Sequence, residues 1–425
     1  MLTSRSLLTE GMFVDGVTYA SVSRNMAEGQ GTFWDPSYTQ TLYPHFRQHP
    51  PLALGLEALA FRALGDHLYV EKSYSVLAFL LSGLLIALIW KRSTNHFRWA
   101  WIPLLFWIFL PLVTWSATNN LLENTMTVFV LLSVYLMVVS YQRNSKTWLL
   151  LAGGALFAAF LSKGFTGLFP LAFPLFYCIF DDQRHWIQGP VDSILVLTTV
   201  AALTGGMLLL VPESFPYLKD YVRLQVIGGG MHEPTVTTRW FIVLSLLQQL
   251  IVPVAILIAL FVLKKILQAR PDKVFEFPPD RKWFLVFLLT GLCGVLPIMV
   301  SVKQRDFYMI AALPFFALAL GHLSLSTVNA LLMQIRPKSY RWLRLGAWLL
   351  LLVGAVLNVS HLGSYGRDEA LIPQVKQVRA TMGEERVIGI DPADFDQWTW
   401  HAYFMRYGKV SLDDKITDQT IYSYF

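Results

Sequence analysis

Six separated stretches of the chain carry side chains able to do chemistry. Asp15 opens the run Asp15-Gly-Val-Thr-Tyr-Ala20, where a carboxylate serves either as a helix N-cap, accepting from free backbone N–H groups, or as a general base. Glu123 lies at the border of an apolar segment in Asn119-Asn-Leu-Leu-Glu-Asn124. There it is either an interfacial acid in water or an acid facing the bundle interior, because a lipid-facing acid is costly. His49-Pro-Pro51 follows Phe46-Arg-Gln48; the prolines lead into a helix start, where a donor side chain and backbone N–H groups can hold phosphate. Lys163-Gly164 divides two short apolar segments, and a lysine held in such a turn needs an anion. Lys303, Arg305 and Tyr308 cluster beside Asp306, and His232-Glu-Pro234 precedes Arg239-Trp240. This last group is equally an interfacial belt of Trp and Arg.

The chain that must position them is apolar. Of 425 residues, 55% are hydrophobic and 15% charged, with 29 Phe, 17 Tyr and 14 Trp. Soluble domains carry about 25% charged residues, so disordered, fibrous and ordinary soluble classes are excluded and an integral membrane protein remains. The formal charge of +6 comes from short Lys/Arg clusters between apolar runs. No basic stripe with interleaved aromatics is present, so nucleic acid is not an expected partner. Cys178 and Cys293 sit in separate apolar segments and read as small core residues, with no disulfide framework.

Ten stretches are candidates for spanning helices: 74–90, 99–117, 124–141, 148–161, 165–180, 192–211, 239–263, 283–302, 307–325 and 343–359. The turn Ser162-Lys-Gly164 makes the fourth and fifth a broken helix or a re-entrant hairpin. One alternate set of short loops (91–98, 142–147, 181–191, 264–282, 326–344) holds 16 Lys and Arg, against 5 in the other (118–123, 162–164, 212–238, 303–306). The first set is therefore expected in the cytoplasm, which puts residues 1–73 and the tail 360–425 outside. Residues 1–73 lack a signal for crossing, so either an upstream helix precedes them, the favoured expectation, or a downstream helix carries the segment across. The domain reading is an outer segment 1–73 with helices near 15–28 and 52–64 lying on the membrane surface, a transmembrane bundle 74–359, and a small α/β tail 360–425. The tail is expected to hold helices near 369–381 and 396–406 and strands at 387–390 and 409–412.

The four motifs Asp15-Gly-Val-Thr-Tyr-Ala, His49-Pro-Pro-Leu, Leu122-Glu-Asn and Ser162-Lys-Gly-Phe-Thr-Gly-Leu168 resemble, in order and spacing, those of the protein O-mannosyltransferase and aminoarabinose transferase superfamily. Lys303 to Pro314 resembles a later stretch of the same family. The resemblance covers roughly 11–325 and implies an all-α polytopic membrane protein of the GT-C class. By it, Asp15 matches the first-loop catalytic acid and Glu123 the second-loop acid. Tyr19, His49, Lys163, His232, Arg239, Lys303 and Tyr308 become substrate-binding positions. Three departures stand out. Gly16 occupies the place of a second adjacent acid, His49 stands where many members have Lys, and the family's spanning helix before the Asp motif is not in the chain.

The resemblance implies transfer of a sugar from a polyprenyl-phosphate donor to a lipid, protein or glycan acceptor, on the outer side of the plasma (inner) membrane of the cell envelope. Lys163, Lys303, Arg239 and His49 would meet the phosphate. No metal is required, and a divalent cation beside the acids is compatible with the scheme. Two rivals share the spans and basic loops. A lipid-linked sugar flippase or transporter has no need of Asp15 at a surface helix, and a non-catalytic family member would bind donor without turnover.

Overall fold

The computed structural model describes residues 4–228, 234–267, 280–334, 337–383, 386–417 and 420–424. After a short helix α1 (Ser4–Leu8), α2 (Val14–Ala27) leads to a two-residue hairpin, β1 (Gly31–Thr32) against β2 (Asp35–Pro36), and then to α3 (Leu52–Leu64). The bundle follows: α4 (Val70–Thr94), α5 (Trp101–Ile108), α6 (Pro111–Ser116), α7 (Leu122–Arg143), α8 (Thr147–Lys163), α9 (Phe173–Ile179) and α10 (Gln188–Leu210). It continues through α11 (Ser214–Tyr221), α12 (Phe241–Ile266), α13 (Arg281–Val295), α14 (Leu313–Leu332) and α15 (Pro337–Val359). Among the described residues six helices are long and apolar enough to cross a membrane, and shorter apolar helices cover the remaining expected spans.

The expected spans fall on helix over most of their length, and four change course: 283–302 ends in a 3₁₀ turn, Leu296–Val300, 307–325 begins as one, Asp306–Ala312, and two more are broken. Stretch 99–117 splits into α5 and α6 at Pro111, which cannot continue a helix and forces Leu110 to extended backbone. Stretch 165–180 begins as a 3₁₀ turn, Phe165–Ala172, before α9, with Pro170 and Pro174 near the change. The preceding break is Gly164, at φ +96°, where α8 ends. A Cβ on Gly164 would lie 1.7 Å from the Tyr221 hydroxyl, so glycine is needed for the turn and for the approach of α11. Helices α7 and the 306–332 stretch form the centre, 72% and 83% buried over their most apolar windows, while α10 lies at the rim with 11%.

Helix α2 departs from the surface-helix expectation. Gly16 through Met26 are all buried, so no solvent or lipid face remains. The bundle covers one side and the tail covers the other. In the tail, β3 (Val387–Gly389) and β4 (Ser411–Asp413) pair in parallel, with helices α16 (Leu371–Thr381) and α17 (Trp398–Tyr403) beside them. Its core residues Ile372, Val375, Tyr403 and Phe404 pack together with Met12 and Val17. Polar bonds complete the docking. The Met12 N–H donates to the Tyr403 hydroxyl (3.3 Å), Arg24 donates to the Met405 carbonyl (3.0 Å), and Arg406 forks onto Glu71 (3.0 Å for both contacts). The tail thus shares a core with the segment bearing Asp15.

Gly16 sets how closely α2 meets the bundle, because a Cβ there would fall 2.0 Å from the Asn119 carbonyl oxygen. Any side chain at this position would push α2 away from the 119–120 turn. Gly16→Ala is expected to destabilise by about 1–3 kcal/mol, the usual result of overpacking. Gly154→Ala, with nothing within 4 Å, should not. Thermal unfolding of both variants in detergent checks this.

Candidate active site

The site forms where the bundle's weakly basic loops converge. A cavity of about 480 Å³ is lined by Glu123 at the start of α7, Lys163 at the end of α8, Lys303 and Tyr308 from the 301–308 segment, and His49 before α3. Tyr221 and Gln225 close it from the stretch after α10, and Phe165, Leu168, Phe169, Pro297 and Ile298 form an apolar wall. The cavity is therefore polar at one end and greasy at the other.

At the polar end, the Lys163 ammonium lies 3.1 Å from Glu123 Oε1, with both side chains buried. Neither Glu123 oxygen is in a well-angled hydrogen bond, so the acid holds the lysine mainly by charge. The same ammonium sits over two rings, 5.6 Å from Tyr19 and 6.0 Å from Tyr308. Ring faces favour a cation, so three anionic or π-rich groups keep Lys163 aimed into the cavity.

Asp15 lies beside this group. It is the second residue of α2 and not its cap; Phe13 is the cap residue and makes no side-chain cap bond. The Phe13 N–H donates to Asn119 Oδ1 at 2.6 Å, and Asp15 stands in the first turn of α2 without acting as its cap. Burial pushes its pKa up, opposed by the charges of Lys163 and Arg305. Tyr19 is one turn further on the same face, and its hydroxyl lies 3.1 Å from His49 Nε2.

His49 differs from the expected cation. Burial, reinforced by Lys163 and Lys303, holds its pKa well below the ordinary value, so the ring is neutral at physiological pH and acts by hydrogen bonding. It is held from behind: the Tyr217 hydroxyl donates to its carbonyl (2.6 Å), and Arg47 bonds Asp220 (2.6 Å) and Asp35 (3.0 Å).

Of the remaining expected positions, Arg239 is exposed, does not line the cavity, and contributes its backbone carbonyl to Gln304 (3.1 Å). His232 lies outside the described residues. Among the described residues, no three His, Cys, Asp or Glu side chains group as metal ligands. Thr166, within the Ser162–Leu168 motif, also lines the cavity, as do Tyr221 and Gln225, which were not indicated by the sequence. Gln225 sits between Leu224 and Val226 and shows no local pattern; only the pairing of its amide with Gln48 places it there.

A family model described as dolichyl-phosphate-mannose-protein mannosyltransferase matches residues 48–208. That stretch contains His49, Glu123 and Lys163 but not Asp15. Among solved structures, the chain is similar to ArnT from Cupriavidus metallidurans in the apo state, with TM-score 0.62 and 14% identity over 100% of this chain and 85% of that one. It is also similar to the same protein bound to undecaprenyl phosphate, with TM-score 0.61 and 14% identity over 98% and 84%. The chain has the ArnT-like GT-C fold. No curated protein matches it by sequence. Within the GT-C fold, the cavity collects residues from all four loops of the weakly basic set, so these loops share one end of the bundle, as their alternation requires.

Proposed function

We propose that the chain is an inverting membrane glycosyltransferase, moving a sugar from a polyprenyl-phosphate donor to a lipid, protein or glycan acceptor. The observation that carries this reading is the two-ended cavity, with lysines and tyrosines at one end and an apolar wall at the other; Asp15 does not line it but lies close enough to Lys163 to feel its charge. The family match and the ArnT structure bound to undecaprenyl phosphate support the donor class. At about 480 Å³, the cavity suits a phosphate, a sugar and the first part of a prenyl chain, with the rest running along the apolar helices.

The mechanism follows from charge. The acceptor hydroxyl or amine attacks the anomeric carbon, the bond from that carbon to the phosphate oxygen breaks, and the acceptor proton passes to Asp15. Lys163 and Lys303 stabilise charge gathering on the leaving phosphate, where preorganised cations act most strongly. Glu123 keeps Lys163 in place, and Tyr19 with His49 shapes the wall between base and donor. The raised pKa of Asp15 makes it a stronger base than a surface aspartate, nearer the working pH. Attack from the side opposite the leaving group inverts the carbon. Transfer of radiolabelled sugar from polyprenyl phosphate by purified protein tests the reading; donor binding without turnover would favour the non-catalytic rival, and donor translocation without transfer the flippase.

The site is proposed to open on the outer face of the plasma membrane. In a background with Cys178 and Cys293 replaced by Ala, Asn95→Cys should react with an impermeant thiol reagent only after the cells are permeabilised. Labelling of intact cells would place this loop outside and reverse the orientation.

A further inference from the structure

A second carboxylate, Glu57, stands behind the site and does not line its cavity. It is 1% exposed on α3. Ser23 of α2 donates to Glu57 Oε2 at 2.8 Å, and Asn120 Nδ2 donates to Oε1 at 2.7 Å. The Asn120 amide also reaches the Gly16 carbonyl at 3.3 Å, next to Asp15. Its neighbour Asn119 receives the Phe13 N–H, and Gly16 is pressed against the Asn119 backbone. Asn120 itself holds a left-handed φ of +48°, which asparagine adopts more readily than other side chains.

We propose that Glu57 is a positioning residue for the transfer reaction: through Ser23 it ties down the third turn of α2, through Asn120 it holds the first turn at Gly16 against the 119–120 turn, and together these fix where Asp15 points. This rests on the glycosyltransferase reading of the site. Three properties separate Glu57 from an ordinary buried acid. It has no cation in ion-pair contact among the described residues. Both its oxygens are engaged by residues of the Asp15 scaffold. Its bonds join α3, α2, which carries Asp15, and the turn before α7, which carries the Lys163 partner Glu123.

The groups facing Glu57 are Ser23 on α2, Glu71 and Tyr74 on α4, Asn120 in the turn, and Arg406 from the tail. Burial, with help from Glu71 and against Ser23, Asn120 and Arg406, pushes its pKa from 4.5 up to about 8. At neutral pH it is therefore a neutral acid. Because the folded value lies above the unfolded one, its contribution to stability is fully present below about pH 4.5 and is lost as pH rises towards 8. Above that, an uncompensated charge loosens the clamp.

The test compares Glu57→Gln with Glu57→Asp in the full-length protein, using steady-state transfer, hydrogen exchange of residues 14–20, and thermal unfolding from pH 4.5 to 8. Gln keeps the neutral hydrogen-bonding shape, so turnover should stay within about 3-fold of the parent and the pH slope of unfolding should flatten. Asp is one methylene too short to hold both partners. Its kcat should fall about 10–100-fold with donor KM nearly unchanged, the expected result of moving a catalytic group by about 1 Å, and residues 14–20 should exchange faster. The proposal is overturned if Glu57→Asp matches the parent in kcat and exchange. It is equally overturned if Glu57→Gln loses as much turnover as Asp15→Asn, since the carboxylate itself would then be reacting. Should the Asp variant fail to fold, the Gln variant decides, and an unchanged pH slope of unfolding overturns the idea. A parent protein that transfers no sugar sinks the glycosyltransferase reading instead, and hydrogen exchange still reports on the clamp.

Discussion

Asp15→Asn is expected to fold normally, bind donor normally, and lose about 10²–10⁴ in turnover, the contribution of a well-placed general base. The structure sharpens the reason. Asp15 is not the cap of α2, and the free Phe13 N–H is served by Asn119, so the carboxylate has no helix-capping duty to lose. Asn preserves the size of the side chain but cannot take a proton at neutral pH. Asp15→Glu keeps the proton acceptor but displaces it, giving a partial loss. Burial raises the Asp15 pKa, so the parent's activity should fall on the acid side at a pH above that of an exposed aspartate; Asp15→Asn should lack that limb. Near-normal turnover by a well-folded Asp15→Asn protein would sink the assignment. Transfer of labelled sugar is the measurement, with thermal unfolding in detergent as the folding control.

The second large effect is expected at Lys163. Its charge meets a phosphate that is already anionic in the ground state and more so in the transition state. Lys163→Met should therefore raise donor KM and lower kcat together, in contrast to Asp15→Asn. It also leaves Glu123 buried without its partner, a change that typically costs about 3–5 kcal/mol, so the variant should unfold at a lower temperature as well. Glu123→Gln separates the two effects. It removes the acid but leaves the lysine charged for the phosphate, so donor binding should survive while the lysine is less firmly aimed and kcat falls. If Lys163→Met alters stability alone and leaves KM unchanged, Lys163 is a structural ion-pair member and the phosphate lies elsewhere. Lys303→Ala should show the same KM pattern at smaller amplitude, because Lys303 is half-buried and Lys163 is buried.

Much of the site was legible as separate pieces. Glu123 and Lys163 each stood at the end of an apolar run, where a charge needs a partner, and they partner each other at 3.1 Å. His49 was legible as a helix-entry residue but not as a neutral one, since its charge depends on burial and on two lysines distant in sequence. Arg239 has the right chemistry and the wrong place for the cavity; its neighbour Gln304 turns the 234–239 segment onto the 301–304 loop instead. Glu57, on a helix read as lying on the membrane surface, carried no local signal at all.

What the sequence determined by itself was the membrane class, the positions of the helices and the small α/β tail. These follow from local quantities: apolar run length, proline and glycine breaks, and loop charge. What only the tertiary structure decided was which charges meet and which residues lose water. Helix α2 has the composition of an ordinary surface helix, yet Gly16–Met26 are buried because residues 371–412 fold back over them. Burial likewise pushes the Asp15 and Glu57 carboxyls up, and the tail's Arg406 comes to rest on Glu71. Each effect arises from contacts between residues tens to hundreds of positions apart, and no local pattern in the chain encodes them.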